Sequence, residues 1–226
     1  MASKKANFKK QLVAYSFIAP NFIGFAIFTL VPIVFAVVLA FLHWDGSNPM
    51  EWAGLANFSE LLDDDQFKAA LKNTIVYTAG TVPLTLLASL FLAVILNQGI
   101  KARNFFRTVI FFPYIASLVA VAAVWNMIFN PSKGPVNMLL YALGFENVPG
   151  WAADKDWAMI TIILFSVWKY MGYYMIIYLA GLQGINPELY EAANLDGTNA
   201  WQRFRYVTVP QLSATTFFYL ATVVKP

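Results

Sequence analysis

The sequence predicts an all-α integral membrane protein, a bundle of several spanning helices. Three observations predict it. The 226 residues are 59% hydrophobic and 17% aromatic but only 12% charged, about half the charge fraction of a typical soluble domain. Four stretches are apolar over the roughly 20 residues that a bilayer crossing requires. Basic residues also gather at one side of those stretches, as they do on the cytoplasmic face of membrane proteins.

In chain order, the first span is 12–42, uncharged and longer than one crossing needs, with Pro20 and Pro32 expected to kink it. The lysines before it (Lys4, Lys5, Lys9, Lys10) and the missing small-residue cleavage site make it an uncleaved anchor rather than a signal peptide. Residues 57–73 place Phe58, Leu61 and Leu62 on one helical face and read as a short amphipathic helix. The second span is 74–96, the third 108–129, and the fourth 157–182 with one charge, Lys169. A short helix is expected near Val136 to Leu143. A last apolar run, 212–224, reads as a partial fifth span in which the sequence stops.

With the N-terminus in the cytoplasm, Lys101, Arg103, Arg107, Arg203 and Arg205 join the leader lysines inside, and Lys68, Lys72, Lys133 and Lys155 lie outside. The polar loop 183–211 then faces the cytoplasm. Within it, Asn186-Pro187-Glu188 is a helix start, and Gly197 is a stop. Thr198 or Asn199 can cap a second helix carrying Ala200, Trp201, Phe204 and Val207 before Pro210. The product is a helix-turn-helix with a small patch at Ala192 and Ala193, ringed by Tyr190, Glu191 and an arginine.

Some chemistry is excluded. The chain has no cysteine and one histidine, His43, so disulfides, thiolate metal sites and paired-histidine motifs are ruled out and no metal is expected. No G-x-x-x-x-G-K-[ST] phosphate loop occurs, so nucleotide is not held by that route. No enzymatic site and no nucleic-acid partner are indicated. Lys169 sits mid-span, where a charge faces a cavity or a partner. It either lines a solute path or bonds neighbouring carbonyls. Tyr170, Tyr173 and Tyr174 crowd the same region; the expectation is that they point to different faces, with at most two lining one cavity. Asn126 is a further path candidate.

The segment Glu191-Ala192-Ala193, three residues, Gly197, then Val207-Thr208-Val209-Pro210 resembles the EAA signature of ABC importer permeases. Trp52 with Gly54-Leu55-Ala56-Asn57-Phe58, Asn73-Thr74, Phe111-Phe112-Pro113, Trp168-Lys169 and Tyr178-Leu179-Ala180-Gly181-Leu182-Gln183 are similar to the sugar-permease branch of maltose and glycerol-phosphate type. The resemblance covers about residues 12–212. It implies a single transmembrane domain of the type I importer permease kind, in a bacterial or archaeal plasma membrane. Its loop would be a coupling element contacting cytoplasmic ATPase subunits through Glu191, Ala192, Ala193, Asp196, Gly197 and Pro210. A second homologous permease and an extracytoplasmic solute-binding protein are the other implied partners; ATP and Mg would sit on the ATPase. The expected cargo is a sugar or sugar derivative, with a non-sugar solute or an ATP-independent secondary carrier as the alternatives.

Overall fold

The computed structural model describes residues 2–223, with side chains from Lys10 onward. The chain divides into two compact units, Met1–Leu71 and Lys72–Pro226.

The first unit opens with α1 (Ala2–Phe25), a π-helical turn (Ala26–Leu30) and α2 (Val31–Leu39). Over Lys10–Leu39 these form one apolar helical run with none of its most hydrophobic window buried. Pro32 falls at the start of α2, directly after the π turn; a proline N–H is missing there, and the wider turn absorbs the mismatch. Two residue pairs not foreseen as strands, β1 (Leu42–His43) and β2 (Glu51–Trp52), join antiparallel. Asp45 closes their connection by accepting the amides of Ser47 and Asn48, both at 2.9 Å. The amphipathic helix expected at 57–73 is split. Helix α3 (Ala56–Asp63) stops at Asp64, whose backbone is extended, and α4 (Asp65–Asn97) begins with Asp65. The Asn57 amide donates to the Ala40 and Leu42 carbonyls, anchoring α3 within this unit.

The second unit holds the rest of α4, then α5 (Arg103–Ile115), α6 (Leu118–Ile128), α7 (Pro135–Ala142), α8 (Lys155–Gln183), α9 (Pro187–Leu195), α10 (Ala200–Arg203), α11 (Val209–Gln211) and α12 (Ser213–Val223). Its core gathers Ala93 and Leu96 of α4 with Met175, Tyr178, Leu179 and Leu182 of α8, then Ile185 and Leu212. Helix α5 lies along α8. Gly172 makes the contact possible, because a Cβ there would run into the Ile110 carbonyl.

The stretch expected as a straight third span, 108–129, is instead broken: α5 and α6 meet at 102°. Three features cause this. Pro113 removes a helical donor, Ala116 and Ser117 are extended (ψ 145° and 128°), and Lys169 of α8 takes up the carbonyls that the break exposes. Long helices over Lys10–Leu39, Asp65–Asn97 and Lys155–Gln183 are each long and apolar enough to cross a membrane among the described residues.

The connection from α6 to α8 is organised by Asn137, 1% exposed. Its amide donates to Pro131 O (2.9 Å) and Pro149 O (3.0 Å), and its carbonyl accepts the Trp151 indole (2.6 Å). Trp151 is thus locked into the loop and packs on Phe129. Asn137→Ala leaves these three groups unpaired and is expected to destabilise this loop by about 2 kcal/mol, read as faster proteolysis between Asn130 and Asp154 while α4 and α8 stay protected.

Candidate functional site

Two regions combine geometry with chemistry. The first is the polar loop. Asn186 caps α9, its side chain accepting the Glu188 amide at 3.1 Å, and Pro187 occupies the first turn. The helix ends in a Schellman arrangement: Gly197 N–H donates to Asn194 O (3.1 Å) and Thr198 N–H to Ala193 O (3.2 Å). Gly197 takes φ +73° to allow it. The Thr198 hydroxyl adds a 2.6 Å bond to the same Ala193 carbonyl. Of the two candidate caps, Asn199 is the one used, in a reciprocal box with Gln202. Arg203 folds inward, donating to Asn194 Oδ1 (2.7 Å) and Thr198 O (2.8 Å), whereas Arg205 stays exposed. The second helix is shorter than expected, because a π turn (Phe204–Thr208) replaces regular helix before Pro210. Tyr190 and Thr208 share a 2.9 Å bond that closes the loop on itself. A rigid elbow results, yet its tip is apolar: Leu195 is 90% exposed and Trp201 66%. Glu191 and Ala192 are exposed beside them, and Ala193 is half-buried.

The second region is an open cavity of about 630 Å³ between α4, α5, α8 and α12. Its walls carry tyrosines 77, 114, 170, 173 and 174 and threonines 74, 78, 81, 85 and 222. Tyr114 stacks on Tyr173 with ring centroids 4.5 Å apart, and Tyr170 meets Tyr114 edge-on at 6.2 Å. The hydroxyls of Thr81 and Thr85 are buried with no hydrogen-bond partner. The walls therefore combine aromatic faces with hydroxyl groups, some of them spent within the protein, as Tyr77 is on Ser166 and Thr222 on the Phe218 carbonyl.

Beside this cavity, Lys169 is 5% exposed and donates to Pro113 O (3.0 Å) and Ala116 O (3.1 Å). A cation mid-span costs about 3 kcal/mol; hydrogen bonds from a charged donor return roughly 1.5–3 kcal/mol each, so two bonds offset the cost. The carbonyls gain as well, since backbone freed at membrane depth needs protein partners.

The family of binding-protein-dependent transport system inner membrane components matches residues 66–224. The chain belongs to this family. It is a multi-pass inner-membrane permease of an ABC importer, a transport component rather than a catalytic one. The permease is 40% identical to the probable ABC transporter permease protein YesP of Bacillus subtilis, over 94% of this chain and 69% of the relative. It is 36% identical to the lactose transport system permease protein LacF of Rhizobium radiobacter, over 91% and 69%. Its fold matches the crystal structure of a bacterial ABC transporter that imports the acidic polysaccharide alginate, with TM-score 0.81 and 29% identity over 96% of this chain and 74% of the other. The crystal structure of a bacterial alginate ABC transporter in complex with an alginate pentasaccharide-bound periplasmic protein matches with TM-score 0.81 and 28% identity, over 95% of this chain and 72% of the other.

In the permease, Glu191, Ala192, Ala193, Asp196 and Gly197 gather on α9 and its cap, while Pro210 lies apart in α11. Tyr170, Tyr173 and Tyr174 all line one cavity, which corrects the expectation that they diverge. Positions i, i+3 and i+4 share a helix face. Lys169 is turned away onto the broken helix and is not among the cavity's lining residues. Asn126 borders a separate, smaller cavity of about 140 Å³ with Trp125 and Phe165. The sequence reading missed Tyr77, Tyr114 and the threonines. A signal existed for the latter, since Thr74, Thr78, Thr81, Thr85 and Ser89 recur every three or four residues and stripe one face of α4.

Proposed function

We propose that this permease carries a sugar or sugar derivative, handed over outside by a solute-binding protein, along the cavity lined by Tyr114, Tyr170, Tyr173 and Tyr174. The observation that carries the reading is the wall chemistry. Sugars present apolar ring faces and hydroxyl edges, and tyrosine rings beside tyrosine and threonine hydroxyls complement both. The lactose and alginate relatives support the cargo class. The rigid elbow with its exposed Leu195 and Trp201 supports a docking role for 183–211 on the cytoplasmic side, with the N-terminus inside and two ATPase subunits holding ATP and Mg. A second, homologous permease completes the path. ATP biases the spans only through contacts that differ between states, and Glu191, Ala192, Ala193 and Gly197 supply them.

The test is uptake into proteoliposomes holding the complete importer and its binding protein, across radiolabelled neutral oligosaccharides, uronate oligosaccharides, peptides and phosphate. ATP-dependent uptake of a saccharide is expected. Selective peptide or phosphate uptake, or uptake driven by an ion gradient without ATP, would reject the reading. Tyr173→Ala is expected to raise the KM for the transported sugar about tenfold, the equivalent of one lost aromatic contact near 1.4 kcal/mol.

A further inference from the structure

We infer that Lys169 is a positioning residue: it pins the elbow between α5 and α6, and so holds the Tyr114 ring against Tyr173 in the cavity wall. That this wall meets sugar rests on the reading above; the pin itself does not. The geometry is specific. Tyr114 lies between the two residues whose carbonyls Lys169 binds, Pro113 and Ala116. Those carbonyls lie where the helical ladder fails, at the C-terminal end of α5 and in the extended pair Ala116-Ser117. A cation at a helix C-terminus meets the negative end of the helix dipole, and a four-carbon stem lets it reach both oxygens from α8. One turn further along α8, Gly172 brings the two backbones together at Ile110 and Phe111. The elbow is therefore held at two points by α8: a close backbone contact at Gly172 and a charged clamp at Lys169.

The arrangement also has a mechanical consequence. Helix α8 runs unbroken from Lys155 to Gln183 and is joined to α9 by Gly184, Ile185 and Asn186, of which Ile185 is buried in the core. Displacement of α9 passes along that rod to Lys169, and through the clamp to Tyr114. The clamp thus joins the polar loop to the cavity wall without touching solute.

Two readouts test this without any sugar, in the complete importer. The chain has no cysteine, so Phe105→Cys and Val124→Cys, both at exposed sites on α5 and α6, give this subunit two defined spin-label sites once any cysteines of the partner subunits are replaced. Lys169→Met is expected to broaden and displace the interspin distance across the elbow, and Lys169→Arg to restore a narrow one. Fluorotyrosine placed at 114 reports its stacking on Tyr173 as a ring-current-shifted ¹⁹F resonance. That shift is expected to vanish in Lys169→Met and return in Lys169→Arg. If Lys169→Met fails to assemble, Lys169→Gln, which keeps a donor for one carbonyl, carries the same measurements and should give a partial displacement. An unchanged distance and an unchanged ¹⁹F shift in Lys169→Met, or in Lys169→Gln where that variant is used, would overturn the pin. A displaced elbow together with normal sugar KM in Tyr114→Ala leaves the pin standing and removes the cavity reading instead.

Discussion

Gly172→Val is expected to abolish assembly of the α5–α8 pair and, with it, uptake. Even a single Cβ at this position runs into the Ile110 carbonyl and the backbone of Phe111. Backbone atoms in a packed helix pair have no rotamer to retreat to, unlike the end of a flexible side chain. Overpacking of this kind costs about 1–3 kcal/mol, and more where nothing can shift. A β-branched side chain belongs at the upper end. The loss extends beyond packing, because parting the helices also draws Lys169 from its two carbonyls and Tyr114 from Tyr173. Gly80→Ala is the control. Its Cβ would meet only the Ile163 side chain, Cδ1 at 2.7 Å, which can rotate aside. Thermal unfolding of the detergent-solubilised protein should place Gly80→Ala near wild type and Gly172→Ala well below it, with Gly172→Val unrecoverable from the membrane. Equal stability of the two alanine variants would contradict the close-contact argument.

The second large effect is expected at the polar loop. Gly197→Pro removes the N–H that bonds Asn194 O and forces φ near −65° where the chain needs +73°. The Schellman closure is lost, and with it the direction in which Arg203 reaches back to Asn194. Gly197→Ala keeps the donor and pays only the left-handed strain, about 1–2 kcal/mol; no atom lies within 4 Å of its Cβ position. The expected order of uptake is therefore wild type, then Gly197→Ala, then Gly197→Pro with none. Membrane insertion should be unaffected, because the altered residues lie outside the apolar runs. Ala193→Trp should give the same loss by another cause, a bulky ring over the small patch beside Leu195. ATP hydrolysis measured in the assembled importer separates the two steps: hydrolysis without uptake is the expected signature. Normal uptake by Gly197→Pro would show that the loop's shape carries no coupling.

Some of this was legible in the residues. The helix start at Asn186-Pro187 and the stop at Gly197 are local events. A capping side chain and a left-handed glycine act within a few residues, so sequence suffices to find them. The short helix before Gly144 was found for the same reason. The strip of threonines on α4 was equally legible, but its meaning depends on which helix it faces. Lys169 could be marked as costly and left open between a solute path and a carbonyl bond, because its partners lie more than fifty residues away in the chain. The three tyrosines were misread for a simpler reason: i, i+3 and i+4 define a face, and that rule applies before any tertiary information.

What the sequence by itself determined is class and local form. Burying backbone in lipid forces helices, and caps and glycines end them where their own side chains and φ preferences dictate. The tertiary structure alone decided the 102° break between α5 and α6 and the meeting of Tyr114 from α5 with the tyrosine face of α8 in one wall. Pro113 weakens the helix locally, but a break within an apolar run survives only when distant groups satisfy the freed carbonyls. Here that partner is an ammonium on another helix, brought within reach by a glycine with no side chain to prevent it.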